Sequence, residues 1–581
     1  MKKTQKLLHI LCFCFLLLSG CSTTNTETPS DSSITSVPTP TPTFEQFATN
    51  IFIEEVCADT ISLHYSLSNP ENYGVSSYPI TLGSVADAVS FDETALSLYE
   101  QLSTYDLSTL SEEEALTFQV LERHLDLMIQ ADFSSYLSEL LGPTTGYQAQ
   151  LPILLAEYRF DSKQDVEYYL NLLPCVYDYF KEIAEFQKEK SEAGYFMNDN
   201  TAKEIIAQCE DFCKNPDDNF LVSTFEERLE TLSLTAVEQA DFLSRNQTAL
   251  YTYVFPAYDL LIDTLTECLG TGTNEYGLAY FEGGKEYYAL LTAYTTGSDR
   301  TMNELKQLLL DAIITNCNEM IETLTTDQTV YDDAINPTFP ETDPEAIIHY
   351  IEESSSKDFP FVDCGDYTIK YIPKSLEDYV SPAMYLVPPI DNYHAGVIYI
   401  NQNPIYDLDA IFPTIAHEGY PGHLYQTVAT LSSDIHPLRY LLSPSGYEEG
   451  WATYVETYSY HYTNFSKPLT SFLQADQIAT LCLYALSDIF IHYDGYTKEQ
   501  LSTFLEDYGF PEQSSSIIYE TLLSEPGAYL PYAVGYLEFI ELQKEATKLW
   551  GDDYSDYKFH EFLLETGPLP FSILNKKISI Y

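Results

Sequence analysis

From about residue 45 onward, apolar residues recur at three- and four-residue steps, the period of an amphipathic helix. The stretch SEEEALTFQVLERHLDLMIQADFSSYLSEL, residues 111–140, opens with Ser111 as an N-cap. Three glutamates follow it in the first turn, where the helix dipole favours negative charge. The segment from Ser162 to Gly194 has the same period. Within it Pro174 predicts a kink or break, because proline lacks an N–H and crowds the preceding turn. A further helix is predicted over SDRTMNELKQLLLDAIITNCNEMIETL, residues 298–324. Between about 366 and 401 the texture changes. DYTIKYIP, AMYLVP and GVIYIN are short, rich in β-formers and bounded by Pro, Asp and Asn, so they predict a small sheet. After it the helical period returns to the end. The pattern predicts a mainly α protein with a small sheet just before a histidine-bearing helix. A helical N-terminal half, 45–330, and a second half, 331–581, are expected to form one body.

The first 44 residues read differently. Lys2 and Lys3 precede an apolar run, LLHILCFCFLLL, too short and wrongly flanked for a membrane span. It ends in LSGC, residues 18–21, which resembles a bacterial lipobox. The expectation is a signal peptide over 1–20 and a lipid-bearing Cys21 that anchors the chain to the bacterial surface. Each buried methylene of such acyl chains contributes about 0.8 kcal/mol. Residues 21–44 carry repeated Thr-Pro pairs and almost nothing apolar, so they predict an extended tether.

Composition narrows the field. With 27 basic and 88 acidic residues the net charge is −61, which excludes a nucleic-acid partner and docking to anionic lipid through a basic face. It suits solubility outside the cell. The 49 tyrosines suit half-buried positions, with the ring packed and the hydroxyl wet. Eight cysteines remain once Cys12, Cys14 and Cys21 are set aside. None forms a C-x-x-C pair, so they read as small buried hydrophobes.

The candidate chemistry lies in IAHEGYPGHLYQ, residues 415–426. Zinc-peptidase helices carry histidines four apart on one face, whereas His417 and His423 are six apart. On an unbroken helix that spacing turns them about 120° from each other. Pro421 and Gly422 lie between them and predict a local break that swings His423 back towards His417. Catalytic zinc takes three protein ligands and leaves one position open. YEEGWATYVE supplies Glu449 and Glu456, seven apart on one helical face. One can ligate while the other hydrogen-bonds a ligand. Glu418, beside His417, is placed as the general base for a zinc-activated water.

HEGYPGHLYQ and EGWATYVE resemble the H-E-x-x-P-G-H-x-x-Q and E-G-W-A-x-Y-x-E signatures of the bacterial family catalogued as domain of unknown function 885. GLAYFEGGKEYYALLTAYTTGSDRTMNEL, GVIYINQNP and PGAYLPYAVGYLEFIELQKEA with FHEFLLETGPLPFSIL are similar to its other segments, so the likeness runs from about 45 to 581. The resemblance implies a zincin-like helical body, ligands His417, His423 and Glu449, and catalytic Glu418. One departure is Leu424, where many relatives carry a second histidine. In PYAVGY, Tyr532 and Tyr536 lie four apart, and a hydroxyl from either is expected to stabilise an oxyanion. His394 is a candidate substrate donor. Asn401 and the GVIYI strand are candidates for binding peptide backbone as an added strand, and Trp451 reads as core. The leading expectation is a surface-anchored zinc peptidase acting on peptides or short unfolded chains. A peptide-capturing lipoprotein without turnover and a metal-dependent amidase on a non-peptide substrate are the competing readings.

Overall fold

The structure, a computed structural model, describes residues 42–581 except 90–92, 132–134, 273, 275, 375–376 and 378–380. The signal peptide, Cys21 and the tether as far as residue 41 lie outside the described residues. The tether ends slightly earlier than its composition suggests. Thr43 caps helix α1 (Phe44–Val56) through a capping box with Gln46, and Phe44 is already buried. Among the described residues no helix is long and apolar enough to cross a membrane.

Among the described residues the chain is mainly helical, with one small sheet. The elements that build the site are labelled in chain order. After α1 come α2 (Thr60–Ser66), α3 (Glu112–Gln130), α4 (Tyr147–Ala156) and α5 (Lys163–Ala193). Ser111 caps α3 through a capping box with Glu114, but the helix stops at Gln130, short of the predicted stretch. Of the kink or break expected at Pro174, the break does not occur, since helix α5 runs through that residue without ending. The lost hydrogen bond and ring clash cost about 3 kcal/mol. Val166, Leu170, Leu173, Val176, Phe180 and Ile183 are all buried along the same helix. At about 1.5–3 kcal/mol each, their burial outweighs the proline.

Next come α6 (Gly284–Thr296) and α7 (Met302–Thr326), the latter capped by Thr301 with Glu304. The sheet consists of β1 (Thr368–Tyr371), β2 (Ala383–Leu386) and β3 (Val397–Ile400). Its order is β1–β3–β2, with β3 parallel to β1 and antiparallel to β2. This corrects the expectation that the GVIYI strand adds a peptide: β3 is central and both its edges are already paired. Its unbroken apolar run is the mark of that position, with Ile398, Tyr399 and Ile400 all buried. The helices α8 (Phe412–Glu418), α9 (His423–Leu431), α10 (Ser445–Ser459), α11 (Lys467–Ile489) and α12 (Leu530–Trp550) follow.

Packing crosses residue 330 freely. Leu116 and Val120 of α3 share a core with Trp451 and Phe539. Leu305 and Leu309 of α7 share another with Leu483 and Leu486 of α11. The eight described cysteines are unpaired; Cys209, Cys268 and Cys482 are buried and the other five half-buried.

Two helices that frame the site touch backbone to backbone. A Cβ on Gly535 of α12 would sit 2.0 Å from the carbonyl oxygen of Gly446, and one on Gly450 of α10 would sit 2.4 Å from the carbonyl carbon of Gly535. The glycine of the E-G-W-A motif is therefore a spacing requirement of the α10–α12 crossing. Gly450→Ala is expected to push the helices apart and destabilise the fold by about 1–3 kcal/mol. Thermal unfolding of the soluble body would register this as a midpoint several degrees lower.

Candidate metal centre

Helix α8 ends at Glu418 and α9 begins at His423, so the two histidines sit on different helices. The linking residues include a cis Tyr420–Pro421 peptide. The Pro421 carbonyl accepts a 2.9 Å hydrogen bond from the Trp451 indole, which ties the break to α10. Gly422 has a φ of −83°, so left-handed backbone is not what it supplies. It supplies room, because a Cβ there would lie 1.7 Å from the carbonyl oxygen of His417. The chain thus doubles back, and the imidazole centroids come to 4.9 Å with their planes at 80°.

Glu449 of α10 completes a buried cluster. Its Oε2 lies 3.6 Å from His417 Nε2 and 3.5 Å from His423 Nε2. The three donor atoms all fall within 4.8 Å of one another. Neither Glu449 oxygen nor His417 Nε2 has a hydrogen-bond partner. A buried polar group left in that condition costs about 1–3 kcal/mol, so three together call for a ligand. Ligand atoms about 2.0–2.1 Å from a tetrahedral zinc lie about 3.3 Å from each other, close to the separations to Glu449. Two imidazoles and one carboxylate are also the donor set of hydrolytic zinc sites. The residues present therefore fit zinc.

Glu456, two turns along α10, approaches from the other side of His417, with Oε2 3.1 Å from Nδ1. If Nδ1–H donates to Glu456, Nε2 keeps its lone pair for the cluster. Sequence left open which glutamate could ligate. The geometry puts Glu449 against both Nε2 atoms and Glu456 on the far nitrogen of one ring. Glu456→Gln keeps the shape but weakens that hydrogen bond, and is expected to lower zinc affinity about 10-fold or more. Competition titration against a chromogenic chelator would measure it.

Glu418 is buried, and its Oε2 accepts a 2.9 Å hydrogen bond from the backbone N–H of Tyr385 on β2. Burial pushes its carboxyl above the usual range, against the pull of His417 and His423. Burial also works against charge on Glu449, but the two histidines outweigh it and hold that carboxyl below its usual range. For His417, burial disfavours the charged ring, yet Glu449, Glu456 and Glu418 together hold it well above its ordinary value. Three carboxylates around two imidazoles make a centre that favours a cation.

The remaining sequence candidates separate. The Tyr532 ring lies 6.3 Å from that of His417, tilted by 20°. With Glu449 it lines a cavity of about 280 Å³. Tyr536 instead packs between two apolar cores with its hydroxyl towards Thr457. Asn401 is fully buried and holds its own loop. Its Nδ2 donates to the Glu377 carbonyl at 2.8 Å, and its Oδ1 accepts from Asn403 N at 2.9 Å. His394 is exposed in the β2–β3 turn, its ring against Tyr393 at 4.4 Å between centroids. Trp451 is core and also anchors Pro421. Two residues escaped the sequence reading. Tyr385 holds Glu418 through its backbone from 33 positions away, and no local pattern announces that. Gln426 was within reach, being three residues after His423 on the same helical face. It is buried, its Nε2 lacks an acceptor, and it lines a small cavity with His423 and Tyr385.

The model of the family described as "Bacterial protein of unknown function (DUF885)" matches residues 84–578. The chain belongs to the DUF885 family. Two solved structures share the fold of this DUF885 chain. One, described as "the putative lipoprotein from Colwellia psychrerythraea", has a TM-score of 0.78 at 18% identity, over 92% of this chain and 97% of that one. The other, "a putative lipoprotein of unknown function from Shewanella oneidensis", has a TM-score of 0.56 at 16% identity, over 92% and 100%. A search of curated proteins finds no match. Within this DUF885 chain, the two signature segments, HEGYPGHLYQ and EGWATYVE, are the ones that meet at the buried cluster.

Proposed function

We propose that this DUF885 chain is a zinc-dependent hydrolase of peptide bonds, held at the bacterial surface by a lipid on Cys21. The observation that carries the reading is the convergence of buried His417, His423 and Glu449, with His417 Nε2 and both Glu449 oxygens lacking hydrogen-bond partners. Zinc held there would supply Lewis acidity towards a carbonyl and a water nucleophile at neutral pH. The rest is the work of the chain's own side chains. Glu418 takes a proton from the attacking water and passes it to the leaving amine. Its raised pKa makes it a stronger base, and the Tyr385 N–H fixes its orientation. Tyr532 is the tyrosine positioned to donate to the developing oxyanion. Gln426 offers an amide N–H to a substrate carbonyl. Strand β2 has its outer edge towards Glu418, so an extended peptide can add along it in place of the paired β3. The lipid anchor is supported by the L-S-G-C box and by the lipoprotein descriptions of the two structural relatives.

The test is a mixed-peptide digest by the soluble body, read by mass spectrometry. Cleavage is expected to vanish with chelator and return with added zinc. Cleavage indifferent to chelator would refute the metal's role. Stoichiometric zinc with no peptide cleaved would refute peptide hydrolysis.

A further inference from the structure

Two cavities reach the metal centre, and a third shares walls with both. The small one beside His423, about 30 Å³, has Val387, Tyr440 and Glu448 in common with a larger one of about 160 Å³. That larger pocket shares Thr295 with the cavity of about 280 Å³ bounded by Glu449 and Tyr532. The pocket of about 160 Å³ thus adjoins both cavities that touch the cluster, and its Leu386 and Val387 follow Tyr385, the residue that holds Glu418.

Its walls are mostly apolar and come from both halves of the chain. Ile61 of α2, Val120 of α3 and Leu154 of α4 face Leu386, Leu442 and Pro444. Arg123, His124 and Glu448 also stand in its walls. Arg123 donates to Asp299 Oδ1 and to the Ala293 carbonyl, each at 2.8 Å. Burial holds His124 largely neutral, its pKa lowered to about 4. An apolar cavity of about 150 Å³ accommodates a benzene ring, so this one has room for a leucine, methionine or phenylalanine side chain.

We propose that this pocket receives an aliphatic or aromatic side chain flanking the cleaved bond, and so selects the peptides on which the centre acts. The inference rests on the hydrolase reading above and adds the substrate class. An acidic side chain entering the pocket would lose its hydration in a mostly apolar enclosure beside the Glu448 carboxylate, and would be rejected.

The experiment compares wild type, Val120→Phe and Leu154→Ala on one peptide library, reading kcat/KM for each flanking residue. Each preference is a ratio within a single preparation, so partial misfolding of a variant cancels. Wild type is expected to favour Leu, Met or Phe over Ala and Asp at one flanking position by about 10-fold or more. Val120→Phe narrows the pocket and is expected to shift that preference towards Ala. Leu154→Ala widens it and is expected to admit Trp. Cleavage with no side-chain preference, or a preference that neither substitution moves, would overturn the pocket's role and leave the hydrolase reading standing. No cleavage by wild type would overturn both.

Discussion

Glu418→Gln is expected to lower kcat by about three orders of magnitude while leaving zinc bound in full. General-base catalysis contributes about 10²–10⁴-fold, and an amide cannot take the proton. The substitution is nearly isosteric, and the amide oxygen can still accept from Tyr385 N, so the 2.9 Å contact and the local backbone survive. The residue is absent from the converging donor set, which consists of His417, His423 and Glu449. Two measurements belong together: zinc content by atomic emission, and turnover on a peptide that wild type cleaves. Full zinc with near-wild-type turnover would remove Glu418 from the reaction. Lost zinc would make it part of the binding site.

His423→Ala has an equally large effect by a different route. It takes away one of the two imidazoles and leaves Glu449 buried with one imidazole neighbour fewer. Zinc content is expected to fall from one ion per chain to near zero, and turnover with it. A second readout needs no substrate. A ligand bound only by the folded state at 100 times its Kd stabilises that state by about 2.7 kcal/mol. Added zinc should therefore raise the unfolding temperature of wild type and of Glu418→Gln, but not of His423→Ala. A variant that still binds one zinc tightly would show that the ion lies elsewhere.

The site was legible in the sequence where its features are local. The six-residue spacing with Pro421 and Gly422 between the histidines already required a break, and the chain breaks there. The seven-residue spacing of Glu449 and Glu456 put both on one face of α10, and both reach His417. The candidates that separated were those whose surroundings come from distant segments. Tyr532 and Tyr536 look alike in PYAVGY, yet only Tyr532 lies beside His417, while Tyr536 is turned to Thr457. Asn401 looked available for a peptide and is consumed by Glu377 and Asn403.

By itself the sequence determined the helical period, the cap at Ser111, the three short strands and the break between the histidines. Each follows from residues within a few positions of one another, where backbone sterics and hydrogen-bond geometry act. Only the tertiary structure decided that β3 is the central strand, that Pro174 stays inside a helix, that Tyr385 grips Glu418, and that α10 and α12 meet at Gly450 and Gly535. Those outcomes depend on which surfaces pack together across hundreds of residues, and the burial gained there exceeds the preferences of any short segment.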